Sequence, residues 1–235
     1  MIASAFDNRH SEDSRSTEHG RPAEDSDTSA DSMTQLQNQQ IYLASASPRR
    51  HELLNQMGIA HEILRVPSPP GEDEPQLPNE APASYVRRTA REKAERAVAH
   101  LAASGLAIRP ILTADTTVIM GSRILAKAHS EDDVCQALAA MSGQTHEVHT
   151  AIVVAWQGRL YEDVSITKVI MKSLTEAEIR WYAASGEGLG KAGAYGIQGL
   201  ASAFIETISG SYSGVMGLPL FETCRLLARA YSASG

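Results

Sequence analysis

Two long β-type segments, residues 145–156 and 159–172, stand only Gln157-Gly158 apart, and no other feature constrains the fold as strongly. A two-residue connection with glycine second suits a tight antiparallel hairpin. A hairpin of that length is not stable alone and must bury a face against other elements. Helical spacing supplies those elements. From Ser84 onward, Val86, Ala90, Ala94, Ala97, Val98 and Leu101 recur along one helix face. Val134, Ala137, Leu138 and Met141 mark a second helix that stops at Gly143, and residues 175–184 a third. A last helix starts at Pro219 with Leu220, Cys224, Leu227, Ala228 and Tyr231 inward.

Shorter apolar runs at Ile41–Ala44, His61–Val66, Pro110–Met120 and about 200–208 read as strands. After the first of these, Ser47 is placed to N-cap a helix with Pro48 in its first turn, and Gly58 stops that helix beyond Gln56. Pro67–Pro82 is crowded with proline and acid and reads as an exposed loop; residues 186–199 form a glycine-rich one. Interspersed helices and strands with a long hairpin predict an α/β fold, a single domain with a mixed central sheet flanked by helices.

That domain is expected over 41–235. Residues 1–40 carry eight acidic and three basic side chains, and before Met33 their only large apolar residues are Met1, Ile2 and Phe6. Such a segment cannot bury enough surface to offset its ordering entropy, so it is expected to be a disordered acidic tail.

Several function classes fall away. No apolar run approaches the ~20 residues of a membrane-spanning helix, and the N-terminus lacks the basic and apolar regions of a signal peptide. Cys135 and Cys224 cannot form a disulfide framework, so a reduced, cytoplasmic setting fits. A net charge of -7 argues against a nucleic-acid-coating protein. Gly186–Lys191 lacks the spacer and the Ser/Thr of a phosphate-binding P-loop, and no G-x-S-x-G elbow occurs. His146 and His149 lie three apart in a strand, on opposite faces, and cannot chelate one metal together. Surface or hydrogen-bonded core histidines are the expectation there.

What remains is charge where structure alone would not put it. Arg49 and Arg50 open a helix whose N-terminus already carries partial positive charge, which favours a bound anion over cations left alone. A solvated arginine pair is the alternative. Lys93 sits at the edge of an apolar stripe, either snorkelling or directed into a cleft. Asp115 interrupts an apolar strand and needs a cation, a metal or several donors. With Lys127 and Lys191, these groups suggest a polyphosphate ligand, a divalent metal and an activated water.

The order of motifs adds a family resemblance. Leu43-Ala-Ser-Ala-Ser-Pro-Arg-Arg-His-Glu-Leu-Leu54, Arg91-Glu-Lys-Ala94, Ala114-Asp-Thr116 and Ser142-Gly-Gln-Thr-His146 come first. Lys191-Ala-Gly-Ala-Tyr-Gly-Ile-Gln-Gly199 and Gly210-Ser-Tyr-Ser-Gly-Val-Met-Gly-Leu-Pro-Leu220 complete the set. From about residue 41 to 231 the chain resembles the Maf family of nucleoside triphosphate pyrophosphatases. The resemblance implies an α/β fold with a central cleft, like that of the inosine triphosphate pyrophosphatases. It implies hydrolysis of a nucleoside triphosphate to the monophosphate and pyrophosphate with Mg2+ or Mn2+. Asp115 matches the catalytic carboxylate; Arg49, Thr116 and Gln198 match positions linked to substrate selection. Ser45, Arg50, Lys93, Lys127 and Lys191 match other polar positions of the pocket. Glu74 matches an acidic, metal-side position, a role Glu72 or Asp73 could take instead. The Lys191–Gly199 run and the Gly-Ser-Tyr before Gly-Leu-Pro-Leu resemble the dTTP/UTP branch rather than the branch acting on 7-methyl-GTP. Family members often dimerise, but no periodic exposed stripe marks a homodimer interface here. A nucleotide-binding regulator of septum formation is the alternative from another class.

Two departures from the family pattern stand out. Ala126-Lys127-Ala128 lacks the usual proline after the lysine, which is expected to loosen the loop placing it. Thr113 replaces a frequent glycine, a packing change. Asp115→Asn is expected to fold and lose turnover; removing a carboxylate from a poorly solvated cleft favours, on sequence grounds, a higher melting temperature.

Overall fold

A computed structural model describes residues 39–67 and 75–233, together with Leu36. The elements are β1 (Ile41–Leu43), α1 (Pro48–Gln56), β2 (His61–Ile63), α2 (Pro82–Ser104), β3 (Ile111–Met120) and β4 (Arg123–Leu125). Then come α3 (Glu131–Met141), β5 (Thr145–Trp156), β6 (Arg159–Met171) and α4 (Glu176–Ala184). A 3-10 turn (Leu200–Phe204), β7 (Ile205–Ser209), α5 (Tyr212–Met216) and α6 (Leu220–Ser232) finish the chain.

One seven-stranded mixed sheet runs β2-β1-β3-β5-β6-β7, with β4 on the edge of β3. The β5–β6 hairpin pairs Thr145 with Ile170 through to Trp156 with Arg159. Its turn puts Gln157 at φ 48 and Gly158 at φ 74, the two left-handed residues that match strand twist in a type I′ connection. β1 runs parallel to both β2 and β3, while β3, β5, β6 and β7 alternate in direction.

Helix α2 crosses one face. Ala90, Ala94 and Ala97 are fully buried, and their small side chains let the helix approach β3 closely enough for Thr113 Oγ1 to donate to Ala90 O at 3.1 Å. Pro82 opens this helix, where its missing N–H costs nothing, instead of closing the preceding loop. Val98 turns outward and is exposed. On the other face two apolar clusters form. The first joins Leu43, Leu53, Leu54, Leu112, Ala114, Ile152 and Val154 with Leu218, Leu226 and Leu227. The second joins Val118, Val134, Leu138, Met141, Val148, Val169 and Tyr182. Between them the register places Thr116 opposite Thr150 and Thr150 opposite Ser165, a polar row across three strands. Helix α5 sits on that row, where Thr150 Oγ1 donates to Gly214 O at 2.8 Å.

Further local expectations change: β2 stops at Ile63 rather than reaching Val66. The 200–208 strand is a 3-10 turn followed by β7. Its first N–H groups, of Leu200 and Ala201, bind the Glu187 carboxylate at 2.8 and 3.4 Å, which winds the backbone instead of extending it. Ser47 occupies the N-cap of α1 but makes no capping bond; its N–H instead donates to Ser45 Oγ at 3.3 Å. Helix α6 buries Thr223, Leu226, Leu227 and Ala230, a face rotated from the expected one, with Leu220, Cys224 and Tyr231 at its edge. The expectation of a disordered tail falls almost wholly outside the described residues. Leu36, inside that stretch, is buried in the first cluster. Both cysteines are free thiols.

Candidate active site

The parallel strands β1 and β2 end beside the middle of β3, and a cleft of about 420 Å³ opens there. β1 pairs with β3 only through Tyr42 and Leu43, and β4 joins β3 only from Val118 onward. The β3 edge between these pairings therefore faces open space, and Asp115 and Thr116 occupy it. Open α/β sheets bind ligands at such a place, beyond the carboxyl ends of parallel strands.

All nine described residues expected at the site line this one cleft: Ser45, Arg49, Arg50, Lys93, Asp115, Thr116, Lys127, Lys191 and Gln198. Glu74, Glu72 and Asp73 lie outside the described residues. Arg65 and Arg96 also line the cleft and were not anticipated. Arg96 stands one helical turn beyond Lys93 on α2, and that i,i+3 spacing was the available signal. Seven cationic side chains thus surround a single carboxylate, Asp115, among the described lining residues. Such a field favours a polyanionic ligand.

The arginines at the start of α1 are locked from the far end of the chain. Arg50 donates from Nε to Gly217 O at 2.8 Å, from Nη1 to Ser45 Oγ at 2.9 Å and from Nη2 to Thr116 Oγ1 at 3.2 Å. Arg49 Nε donates to Met216 O at 3.2 Å. Because these contacts fix both guanidinium planes, neither side chain is a loose surface charge. Among the described residues no side chain caps α1, whose N-terminal end also lines the cleft through Ser45, Ala46 and Ser47. Helix N-termini of this kind bind phosphate oxygens.

Asp115 is 7% exposed and accepts from Lys93 Nζ at 2.8 Å and from Thr117 Oγ1 at 3.4 Å. Burial alone would raise its pKa, but the Lys93 ammonium, and behind it Arg50, outweigh this and hold the carboxyl below its usual range. Asp115 therefore stays ionised. The structural-pairing alternative for this residue is realised in part, since Lys93 is its partner, yet the pair stands in the cleft wall rather than inside a core.

Lys127 and Lys191 arrive together. The strap after β4 is stitched to the glycine-rich loop by bridges between Lys127 and Ala192 and between Ala128 and Leu189. Gly190 N–H adds a bond to Ala128 O at 2.8 Å. These contacts, with Ala128 buried, tie the strap down where the proline is absent. Lys191 Nζ donates to Glu187 O. Burial first, then the neighbouring Arg49 charge, push the Lys191 pKa below its ordinary value. Glu187, also unforeseen, organises this loop from outside the cleft. Its carboxylate takes Tyr182 Oη at 2.9 Å as well as the 3-10 turn. A Cβ at Gly199 would stand 2.1 Å from its Oε2, so a side chain there would have to push this carboxylate off its partners.

The far wall is apolar: Val118, Val148, Tyr195, Ile197, Val215 and Met216, with the exposed Gln198 among them. A flat heterocycle suits that wall and a phosphate chain suits the cationic end. For a metal, the described residues hold no group of three or more His, Cys, Asp or Glu side chains that could cage one. A single carboxylate in a polyphosphate cleft does fit Mg2+ or Mn2+, since hard cations of this kind take one or two carboxylates and complete their shell from substrate phosphate and water. His146 and His149 are buried on opposite faces and bonded to Tyr195 and Glu147, as the strand spacing required.

The family model described as Maf-like protein matches residues 40–230. A dTTP/UTP pyrophosphatase of Bordetella pertussis is 60% identical over 190 residues, covering 81% of this chain and 92% of the relative. One from Cupriavidus metallidurans is 50% identical over 194 residues, 81% of this chain and 96% of the relative. One from Nitrosomonas europaea is 48% identical over 191 residues, 80% and 92%.

Proposed function

The chain belongs to the Maf-like protein family, and from that premise we propose that it hydrolyses dTTP and UTP to the monophosphate and pyrophosphate, as a nucleoside triphosphate diphosphatase of the cytoplasm. The observation that carries this reading is the Asp115–Lys93 pair at the open edge of β3, ringed by Arg49, Arg50, Lys127 and Lys191.

Cleavage between the α- and β-phosphates needs a water aimed at the α-phosphorus and a stabilised leaving pyrophosphate. Asp115, ionised and fixed from one side by Lys93, has its carboxylate at the cleft wall to orient that water and take its proton. Incoming phosphate oxygens compete for the Lys93 ammonium, and as that bond weakens Asp115 becomes a better base. Lys127, Lys191 and the two arginines hold the phosphates through charge-assisted bonds and meet the charge that develops on the leaving group. On this reading Gln198, beside the apolar wall, and Thr116, bonded to Arg50 Nη2, take part in selecting the substrate. Mg2+ or Mn2+, held by Asp115 and a carboxylate of the 72–74 run such as Glu74, would supply further neutralisation of the polyphosphate.

Pyrophosphate release from a panel of nucleotides, with and without Mg2+, tests the reading. Preference for dTTP and UTP with metal dependence supports it. Preference for 7-methyl-GTP would move the chemistry to another base, and no release from any nucleotide would leave a nucleotide-binding regulator.

A further inference from the structure

His146 belongs to the Ser142–His146 motif, yet it does not line the cleft and the chemistry above does not use it. It is 1% exposed on β5. Its Nε2 lies 2.8 Å from Tyr195 Oη, with the rings edge to face at 82° and 5.5 Å between centroids. Burial pushes the imidazole down to about 4, so it is neutral at working pH and carries one donor and one acceptor. Among the described residues its Nδ1 has no hydrogen-bond partner. A buried orphan N–H is rarer than a buried orphan acceptor. The proton therefore belongs on Nε2, and His146 donates to the Tyr195 oxygen.

Tyr195 lines the cleft and sits in the turn from Lys191 to Gln198. That turn is conformationally demanding. Gly193 has φ 65 and Ala194 has φ 60, and the second is a left-handed conformation that a residue with a Cβ disfavours. A Cβ at Gly193 would meet Val118 at 2.8 Å, so the turn is also pressed against β3. Conformations of this kind persist only where the surroundings over-determine them. Two bonds do so at the residues that follow Ala194: His146 to Tyr195, and Gly196 N–H to Tyr182 Oη at 3.1 Å.

We propose that His146 is a positioning residue for base selection, acting through Tyr195 on the turn that presents Gln198 to the nucleotide. The inference rests on the reading of the cleft as a pyrimidine nucleotide site. His146 touches no substrate; it sets where the base-reading side chains stand.

The test compares kcat and KM on dTTP, UTP and dCTP for wild type, His146→Leu, Tyr195→Phe and His146→Gln, with melting temperatures alongside. Leucine fills the imidazole space without a donor, whereas glutamine restores an N–H near the Nε2 position. The loss of one hydrogen bond predicts KM for dTTP and UTP up about three- to tenfold with kcat nearly unchanged, and the preference over dCTP reduced by the same factor. His146→Gln should recover most of both. Combining His146→Leu with Tyr195→Phe should be no worse than either change alone, because both remove the same contact. Folded His146→Leu and Tyr195→Phe proteins with wild-type base preference overturn the inference, as does a His146→Gln protein no better than His146→Leu. If His146→Leu fails to fold, Tyr195→Phe decides alone. A wild-type protein indifferent to the base overturns the proposed function, and the inference with it, before any variant is made.

Discussion

Asp115→Asn separates chemistry from electrostatics within a single side chain. Asn keeps the shape and removes the charge, leaving the Lys93 ammonium 2.8 Å from a neutral amide. At an effective dielectric of about 20, a unit pair at that distance interacts by roughly 6 kcal/mol before desolvation is subtracted. Breaking a buried pair by removing one partner costs about 3–5 kcal/mol net. The Lys93 side chain is 22% exposed, so water recovers part of this, and about 2–3 kcal/mol is expected. For a fold of this size that is a drop of roughly 4–12 °C in Tm. The six other cations among the described lining residues would also lose the one carboxylate described among them. The structure thus reverses the expectation of a higher melting temperature, because the carboxylate is not an isolated charge in a dry cleft. Turnover should fall on the order of 10²-fold or more, since both the base and its orientation of water are lost. Pyrophosphate release and thermal melts at pH 7 measure the two effects. A folded variant with wild-type kcat refutes the catalytic assignment; one that melts at or above wild type refutes the electrostatic argument.

Other expected outcomes follow from the same geometry. Arg50→Ala should raise KM and lower Tm together, because it removes bonds to Gly217, Ser45 and Thr116, while Arg49→Ala should raise KM with the smaller Tm change; unchanged kcat/KM at low salt in both would place the phosphate grip elsewhere. Burial lowers the His146 pKa from 6.5 to about 4, so the unfolded chain takes up its proton first as pH falls. Stability is full above about pH 6.5 and declines toward pH 4 by roughly 3 kcal/mol. Denaturant melts across that window should show the decline in wild type and its flattening in His146→Gln. Deleting residues 1–32 should leave turnover and Tm nearly unchanged, as it retains Leu36 and the first cluster; a large loss of either would show that the removed segment docks.

The hairpin and α2 were legible because their signals are local: a turn dipeptide that accepts two positive φ values, and an alanine repeat at helical spacing. The 3-10 turn at 200–204 was not, because Leu-Ala-Ser-Ala-Phe carries no period that separates a strand from a tight helix. The deciding contact, the Glu187 carboxylate, comes from thirteen residues earlier. The α6 face was misplaced by about one position, since Leu226 and Ala230 compete with Cys224 and Ala228 for the core and only the docked sheet chooses between them. At the site, charges that violated local logic were found. Arg49 and Arg50 sat at the wrong end of a dipole, and Asp115 sat inside an apolar strand. Arg65 and Arg96 escaped because a basic residue after a strand or on a helix flank violates nothing. Glu187 escaped for the same reason, looking like one more loop acid.

The bonds from Arg50 to Gly217 and from Arg49 to Met216 each span 167 residues. Closing so long a loop is entropically costly and comes late in folding. On the ribosome, where roughly 5–20 residues are added each second, about 8–33 s separate the appearance of Arg50 from that of Gly217. A nascent chain therefore displays both arginines long before their backbone acceptors exist. Premature termination anywhere upstream of Met216 leaves these guanidinium groups without the carbonyls that orient them, so a truncated product keeps the charge of the site and lacks its aim.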